Sequence, residues 1–263
     1  MTTWRLLHEG RCPARKTMEK DLDLFEAVRQ GSTQGALRFY NWAETALTIG
    51  YHQRPFSFND PHLDIPVIRR PTGGGAVLHS DDIAFSISTA ATGKFAAGIP
   101  ECYGILSQVF RTAFHGCGIG AEIKGGSHAF SPLCFSRPSP AELILGRNKI
   151  MGMALARKGR FLLVQGVIPL HVDHELSERV FGEIPRHGSQ GLLDVFPDFS
   201  EKLFFNRLHD GFISQLGVLL CQGDQDDHKH HCADEREIEP GCEEVCEHHV
   251  TEQGEQGYAR YDA

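Results

Sequence analysis

Apolar residues along this chain follow two patterns, and the first of them predicts β-strands. Short runs with alternating or continuous apolar positions are typical of strands. They cover residues 4–10, 36–40, 46–51, 65–68, 76–78, 83–88, 143–145, 148–156 and 161–168. We expect the first run to form a short edge strand. The last run is long and apolar, which is typical of a buried central strand.

The second pattern, apolar residues spaced three or four positions apart, predicts helices. These helices cover residues 17–30, 101–114, 175–181 and 200–220. We expect Thr17 to cap the first helix, Pro100 to open the second, and Ser200 to cap the last. The helical and strand patterns both stop after Cys221.

Residues 222–263 differ in composition from the rest of the chain. They are polar, acidic and poor in large apolar side chains, a composition that predicts disorder. We therefore expect one catalytic domain over residues 1–221 and a tail, disordered or metal-binding, over residues 222–263.

The net charge of −8 resides in this tail. Residues 224–263 contain 13 acidic and 3 basic residues, and subtracting their −10 from −8 leaves +2 for the remainder. A nucleic-acid-binding domain usually carries a basic face, so we expect no nucleic-acid partner. No apolar run approaches the roughly 20 residues of a membrane helix, and the N-terminus lacks the apolar segment of a signal peptide. We expect no membrane association and a cytoplasmic location.

The tail also contains metal-binding residue types at short spacings. The candidates are His230, Cys232, Cys242, Cys246 and His248. Zinc prefers four such ligands, but this spacing matches no standard zinc finger. A disordered acidic tail with adventitious metal affinity remains the alternative, and its distance in sequence from the motifs below argues against a catalytic role.

The stretch from Arg69 to His79, Arg-Arg-Pro-Thr-Gly-Gly-Gly-Ala-Val-Leu-His, is the first candidate for chemistry. Glycines let backbone N–H groups approach a ligand closely, and arginines supply forked donors for carboxylate or phosphate. By residue type alone, the stretch also fits a hairpin between two buried strands with arginines on the surface.

Two later segments add a thiol and an amine. Ser-Pro-Leu-Cys-Phe-Ser places Cys134 in a loop marked by prolines, and Gly-Arg-Asn-Lys-Ile-Met-Gly-Met-Ala places Lys149 at a strand turn before small residues. Taken singly, Cys134 also fits a small buried thiol, and Lys149 a solvated lysine at a strand end.

Together these segments resemble the lipoate–protein ligase and octanoyltransferase superfamily, over the chain from Trp4 to about Val195. The family pattern Arg-Arg-x-[Ser/Thr]-Gly-Gly-x-Ala-Val-x-His matches residues 69–79, and Lys-Ile-x-Gly-x-Ala matches residues 149–154. Leu-Cys-Phe around Cys134 resembles the nucleophile loop of cysteine-dependent octanoyltransferases. The resemblance implies an α/β fold, a mixed and largely antiparallel sheet flanked by helices, similar to the biotin/lipoate ligase core.

The resemblance also implies an activity. An acyltransferase of this kind moves an octanoyl (or lipoyl) group from octanoyl-acyl carrier protein to a lysine of a lipoyl-domain protein, such as glycine cleavage H protein or an E2 subunit. Cys134 would carry the acyl group as a thioester, with its pKa lowered by Lys149. Lys149 could also hold the acyl carbonyl, with backbone amides of the glycine-rich stretch as oxyanion donors. Thioester exchange is nearly isoenergetic, so no cofactor is required.

The same resemblance implies a set of substrate-binding residues. They are Arg69, Arg70, Thr72, Gly73, Gly74, Gly75, His79, Gly152 and Ala154. Consecutive strand residues face opposite ways, so we expect one of the two arginines to be structural.

Three positions depart from the family pattern. Ser80 replaces a usual Asp, Gln165 replaces a common His, and Gly75 matches the ligases, where cysteine-dependent transferases often have Arg. One alternative is therefore an ATP-dependent lipoate–protein ligase, in which ATP and Mg²⁺ form an acyl-adenylate and Cys134 is dispensable. Another is a non-catalytic relative that binds an acyl ligand or metal and regulates.

Overall fold

The computed structural model describes residues 1–124, 142–182 and 190–222. Eleven strands and five α-helices lie in these ranges. In chain order they are β1 (Thr2–Cys12), α1 (Ala14–Gln30), β2 (Gly35–Trp42), β3 (Ala46–Ile49), β4 (Val67–Arg69), β5 (Val77–His79), β6 (Asp81–Ala90), α2 (Ile99–Gly116), β7 (Glu122–Lys124), β8 (Glu142–Leu145), β9 (Asn148–Lys158), β10 (Phe161–His171), α3 (His174–Phe181), α4 (Leu192–Val195), α5 (Glu201–Gly211) and β11 (Val218–Gln222).

Eight strands form the main sheet, in the order β11-β1-β2-β6-β10-β9-β8-β7. β1 is parallel to both of its neighbours, and the other five pairs are antiparallel. A second sheet has the order β4-β3-β5 and carries the glycine-rich stretch between β4 and β5. The predicted α/β class, with a mixed and largely antiparallel sheet, is confirmed.

Helices cover both faces of the main sheet, because neighbouring strand residues point to opposite sides. Phe39 and Phe85 belong to the large apolar core beneath α2 and α5, together with Phe110 and Phe204. The neighbouring Tyr40 and Ala84 pack instead with Met18 of α1, on the other face. Among the candidate residues, Arg70 and His79 lie beside Tyr40 and Ala84 on this second face, next to α1 and the small sheet.

The start of α1 differs from the prediction. The helix begins at Ala14, directly after Pro13, and Thr17 is not its cap but lies fully buried one turn inside it. Proline has a fixed φ suited to a helix start and lacks an N–H that a strand would use. Pro13 therefore ends β1 and allows the helix to begin three residues earlier.

The C-terminal elements correct two further predictions. The last helix does begin after Ser200, whose side chain accepts a hydrogen bond from the N–H of Leu203, but it ends at Gly211. A single π-helical turn and Gly217, with φ +67°, then lead into β11. β11 pairs with β1. The prediction that β1 is an edge strand is therefore wrong. Val218 and Leu220 are buried and alternate with exposed Leu219, which is the two-residue repeat of a strand. In the sequence, the three-residue spacing of Leu216 and Leu219 continues the helical pattern and hides this repeat.

The predicted tail lies outside the described residues, except for Gln222. The five candidate metal ligands between residues 230 and 248 are therefore not placed. Within the described ranges, no group of three or more His, Cys, Asp or Glu side chains is arranged to hold a metal ion. The helices of those same ranges include none that is long and apolar enough to cross a membrane.

Candidate active site

A cavity lies where α1, β9 and β10 meet the small sheet. It contains about 410 Å³ of space, part of which is open to solvent. The residues that line it are Met18, Tyr40, Trp42, Thr48, Arg70, Val77, His79, Ala84, Gly152, Met153, Ala154, Gln165, Gly166 and Val167.

Residues 72–75, here called the glycine turn, run beside this cavity. Gly74 has φ +89°, a conformation that favours glycine. A Cβ built on Gly50, in the loop after β3, would lie only 2.0 Å from the carbonyl oxygen of Gly74. A Cβ on Gly74 would lie 3.9 Å from the Cβ of Ala154. The turn is therefore in close contact with the β3 loop and next to the small residues of β9.

Arg70 lies in the cavity wall with its guanidinium turned toward the glycine turn. Its Nε and Nη2 donate to the carbonyl of Gly73, at 3.1 and 2.6 Å, and Nη2 also donates to that of Gly75 at 2.7 Å. Its Nη1 lies 3.3 Å from both the carbonyl and the hydroxyl oxygens of Thr48. Arg70 is only 5% exposed. The Arg70 side chain thus holds the backbone carbonyls of the glycine turn in place.

Arg69 has a different position. Its Nη1 donates to the carbonyls of Gly50, Tyr51 and Gln53, at 2.9, 2.9 and 2.7 Å. It is exposed and is not one of the cavity-lining residues. Consecutive arginines therefore face opposite ways, with Arg70 at the cavity and Arg69 holding the loop after β3.

His79 has a partner at each ring nitrogen. Nδ1 lies 2.8 Å from Oδ2 of Asp82, and Nε2 lies 2.9 Å from Oγ1 of Thr48. The carboxylate can only accept, so we assign the proton to Nδ1. The Thr48 hydroxyl, which accepts from Arg70, then donates to Nε2. The indole of Trp42 stacks on the imidazole at 4.2 Å between ring centroids, which fixes the ring plane.

Lys149 is buried and paired with an acid that the sequence analysis missed. Its Nζ lies 2.5 Å from Oε1 of Glu142, and the two side chains are 2% and 5% exposed. Glu142 is on β8, which is hydrogen-bonded to β9. Glu142 stands alone at the start of the apolar run Leu-Ile-Leu. Because an acidic side chain in a buried strand is rarely without an opposite charge, this position could have indicated an ion pair.

Gln165 connects the cavity to a second buried pair. Its Oε1 accepts from the hydroxyl of Thr72 at 2.9 Å, and its Nε2 donates to Oδ2 of Asp21 at 2.7 Å. Asp21 in turn pairs with Arg38 at 2.7 Å. The signal for this pair was an Arg inside an apolar strand and an Asp three positions after Met18, on the apolar face of α1.

Burial and the charges of this cluster shift the pKa values of Arg38 and Tyr40. Burial alone would lower the pKa of Arg38, but the negative charges of Asp21 and Glu9 outweigh it and raise that pKa. Burial raises the pKa of Tyr40 well above its ordinary value, and the nearby Asp21 carboxylate adds to this effect. Arg38 therefore stays charged and Tyr40 stays neutral over the physiological pH range.

The sequence profile of the lipoyl protein ligase A/B catalytic domain matches residues 13–192, more than half of the chain. The chain belongs to this family. The range includes α1, both sheets' central strands and all the motif residues described above.

Relatives with curated names point to an enzyme class. Octanoyltransferase LipM of Lysinibacillus sphaericus is 32% identical over 200 residues, which cover 69% of this chain and 71% of the relative. Octanoyltransferase LipM of Exiguobacterium sp. is 33% identical over 189 residues, covering 66% and 68% of the two chains. The prediction of an acyltransferase is confirmed by these matches.

A solved structure confirms the fold of this lipoyl ligase family member. A lipoate-protein ligase A bound with ATP superposes with a TM-score of 0.65 and 25% sequence identity, covering 84% of this chain and 88% of that one. The fold predicted by resemblance, that of the lipoate ligase core, is therefore the observed one.

The structure brings together most of the motif residues expected in this family. Arg70, His79, Gly152 and Ala154 line the cavity. Thr72 is hydrogen-bonded to Gln165, which lines the cavity. Gly74 of the glycine turn lies next to Ala154, another lining residue. Two further expected residues are not in the cavity lining: Arg69 faces the loop after β3, and Lys149 of β9 is paired with Glu142 of β8. Cys134 lies outside the described residues, so its predicted role as nucleophile stays a prediction.

Proposed function

We propose that this lipoyl ligase family member transfers an octanoyl group from acyl carrier protein to a lysine of a lipoyl-domain protein. The observation that carries the proposal is the lining of the cavity. Four of its polar side chains, Thr48, Arg70, His79 and Gln165, are hydrogen-bonded within the protein, and the indole nitrogen of Trp42, which has no hydrogen-bond partner among the described residues, is buried. The surface left for a ligand is largely apolar, and it suits an alkyl chain better than an anion.

Two features of the chain support a covalent route. The sequence contains Cys134 and Lys149 in the pattern of the cysteine-dependent transferases, and the relatives described above are named octanoyltransferases. In the first step, the Cys134 thiolate attacks the carbonyl carbon of the donor thioester. The carrier's thiolate leaves and takes up a proton, and the octanoyl group is then held on Cys134 as a thioester.

The second step forms the product. A neutral lysine amine of the acceptor attacks the Cys134 thioester, the Cys134 thiolate leaves, and the amine loses a proton to give an amide. The first exchange is nearly isoenergetic and the amide is the more stable product, so the route requires no ATP and no metal. The acceptors we expect are glycine cleavage H protein or an E2 lipoyl domain, and the compartment we expect is the cytoplasm.

The glycine turn is suited to stabilise the oxyanion of both steps. The N–H groups of Gly73, Gly74 and Gly75 donate to no other residue in the described part of the chain. Unpaired amides next to a cavity are the usual donors to a developing negative charge. The family resemblance implies a positive charge from Lys149 here, but its ammonium is paired with Glu142 and is not part of the cavity lining.

A ligase is the second candidate, since Gly75 matches the ligases and the similar solved structure is a ligase bound with ATP. An acyl-adenylate would need cationic donors for its phosphate. The guanidinium of Arg70 is directed to the carbonyls of Thr48, Gly73 and Gly75, which weighs against this role for Arg70. ATP and Mg²⁺ dependence would nevertheless define a ligase.

Intact-protein mass spectrometry tests these alternatives. The protein is mixed with octanoyl-acyl carrier protein without ATP, and the adduct is mapped by peptide analysis. We expect one octanoyl group on Cys134, absent from Cys134→Ser and retained in the matched control Cys221→Ser, whose thiol is free and exposed. Addition of apo H protein should then discharge the adduct.

Each other outcome points elsewhere. An octanoylated H protein beside an unmodified Cys134 would contradict the covalent route. Transfer from free octanoate that needs ATP and Mg²⁺, and survives Cys134→Ser, would identify a ligase. No transfer under either condition would favour the non-catalytic alternative.

A further inference from the structure

A row of buried hydrogen bonds connects the glycine turn to the inner face of α1. The Thr72 hydroxyl donates to Oε1 of Gln165, and Nε2 of Gln165 donates to Oδ2 of Asp21. Thr72 and Asp21 are fully buried and Gln165 is 6% exposed. Because Gln165 accepts on one side and donates on the other, its amide has one orientation that satisfies both partners.

The Asp21 end of this row is held from several sides. Nη1 of Arg38 donates to Oδ1 at 2.7 Å, and the Ser86 hydroxyl donates to the same oxygen at 2.6 Å. Arg38 also donates through Nε and Nη2 to Glu9, at 3.1 and 2.8 Å. Since α1, β1, β2 and β6 all contribute to this cluster, Asp21 is a fixed point for Gln165.

The Thr72 end is part of the backbone that shapes the turn. The carbonyl of Thr72 accepts from the N–H of Tyr51 at 2.9 Å, and the next carbonyl, that of Gly73, accepts from Arg70. A displacement of Thr72 therefore moves the glycine turn relative to the cavity. If Gln165 were lost, the Thr72 hydroxyl would be left as a buried donor, which is unfavourable.

We propose that Gln165 is a positioning residue for acyl transfer. It couples the glycine turn to the buried Asp21–Arg38 pair and so holds the N–H groups of the turn at the cavity wall. This inference rests on the proposed role of those N–H groups as oxyanion donors. Gln165 itself binds no substrate in this role, and its effect on catalysis passes through Thr72.

The test compares Gln165→Leu, Thr72→Val and the double variant with Ser86→Ala. Ser86→Ala removes one hydrogen bond from the same carboxylate, which Arg38, Tyr40 and Gln165 still hold in place, and it does not reach the turn. For one lost hydrogen bond we expect kcat/KM for Cys134 octanoylation to fall about five- to tenfold in each single variant. The double variant should be no slower than the slower single variant, because both changes break one connection. Ser86→Ala should stay within about twofold of the wild type.

A second measurement does not depend on the activity. Amide hydrogen exchange of Tyr51, followed by NMR, reports the bond to the Thr72 carbonyl. We expect this exchange to accelerate about fivefold in Gln165→Leu and in Thr72→Val, and to be unchanged in Ser86→Ala. If Gln165→Leu does not fold, Thr72→Val removes the same hydrogen bond from the other side and tests the proposal alone.

Three results would overturn the proposal: equal slowing by Ser86→Ala, losses that multiply in the double variant, or unchanged Tyr51 exchange in Thr72→Val. If the wild type shows no octanoyl adduct, the proposed function fails instead. In that case the Tyr51 exchange still decides whether Gln165 fixes the turn.

Discussion

Nη1 of Arg38 lies 2.7 Å from Oδ1 of Asp21, and both side chains are completely buried. Two charges in a protein interior are costly to desolvate, and their attraction offsets this cost only with further hydrogen bonds. Ser86, Tyr40 and Gln165 supply those bonds to the carboxylate. The pair therefore attaches α1 to the main sheet at the point where the cavity begins.

Removal of the cation should destabilise the fold. Arg38→Met leaves the Asp21 carboxylate buried without its partner, and we expect the free energy of unfolding to fall by about 3–5 kcal/mol. Asp21→Asn should cost less, because Glu9 still pairs with Arg38. Urea denaturation measures both. An Arg38→Met protein with the wild-type midpoint and slope would show that the pair contributes nothing to stability.

Packing of the glycine turn against the β3 loop should be sensitive to one methyl group. In Gly50→Ala the new Cβ would lie 2.0 Å from the Gly74 carbonyl oxygen, so the turn must move. We expect a loss of about 1–3 kcal/mol in stability and a loss of acyl transfer. Gly73→Ala is the matched control for stability, since no heavy atom lies within 4 Å of its Cβ. Similar unfolding midpoints for the two variants would contradict the close contact.

The two consecutive arginines should respond differently to lysine. Arg70→Lys keeps the charge but loses the fork that reaches Thr48, Gly73 and Gly75. We expect the free energy of unfolding to fall by roughly 2–3 kcal/mol, as for two or more lost hydrogen bonds. Arg69 makes its contacts through one nitrogen, which a lysine can partly replace, so Arg69→Lys should cost under about 1 kcal/mol. Thermal unfolding of both variants measures which one loses more stability. A larger loss in Arg69→Lys would contradict the conclusion that Arg70 holds the glycine turn in shape.

Asp194 should make stability depend on pH in the acid range. Burial alone would raise its pKa, but hydrogen bonds from His171 and from the N–H groups of Gly191 and Val172 outweigh burial and lower it. A carboxyl with a lowered pKa in the folded state stabilises the fold above its unfolded pKa of about 3.9. That contribution is lost as the pH falls through the lower folded pKa.

Asp194→Asn therefore provides the test of this linkage. At pH 7 we expect the variant to be less stable than the wild type by roughly 0.5–1 kcal/mol, as for other negative charges in the first turn of a helix. The difference should begin to narrow below about pH 4, where the carboxyl of the unfolded chain takes up a proton, and should disappear once the pH is below the lower folded pKa. Urea denaturation at pH 7 and at pH 3 measures both differences. If the difference in stability between wild type and variant were the same at pH 7 and pH 3, the negative charge of Asp194 would not be what stabilises the fold.

Much of the fold was predictable from local patterns. The helix over residues 175–181 and most strands follow periodicity within one segment, and each lies near its predicted position. The last helix was predicted too long, because Leu216 and Leu219 continue the helical spacing in sequence, whereas Val218 and Leu220 alternate with Leu219 as in a strand. Its end depends on Gly217 and on pairing with β1, a strand more than 200 positions away in sequence.

The motif residues were predictable and their partners were not. Arg70, His79, Gly152 and Ala154 belong to recognisable motifs, and the structure gathers them at one cavity. Glu142, Asp21 and Arg38 belong to no motif. Their importance depends on burial beside an opposite charge, which a single segment does not reveal.

The sequence by itself determined the family, the positions of most helices and strands, and the glycine turn, because these depend on residue types at short spacing. Only the tertiary structure decided that Arg70 faces the turn and that Asp21 pairs with Arg38 beneath the cavity. It also decided that Gln165 connects Thr72 to that pair. The contacts of Asp21 with Arg38 and of Gln165 with Thr72 and Asp21 join residues between 17 and 144 positions apart. Their proximity follows from the order of strands in the sheet and the face on which α1 packs.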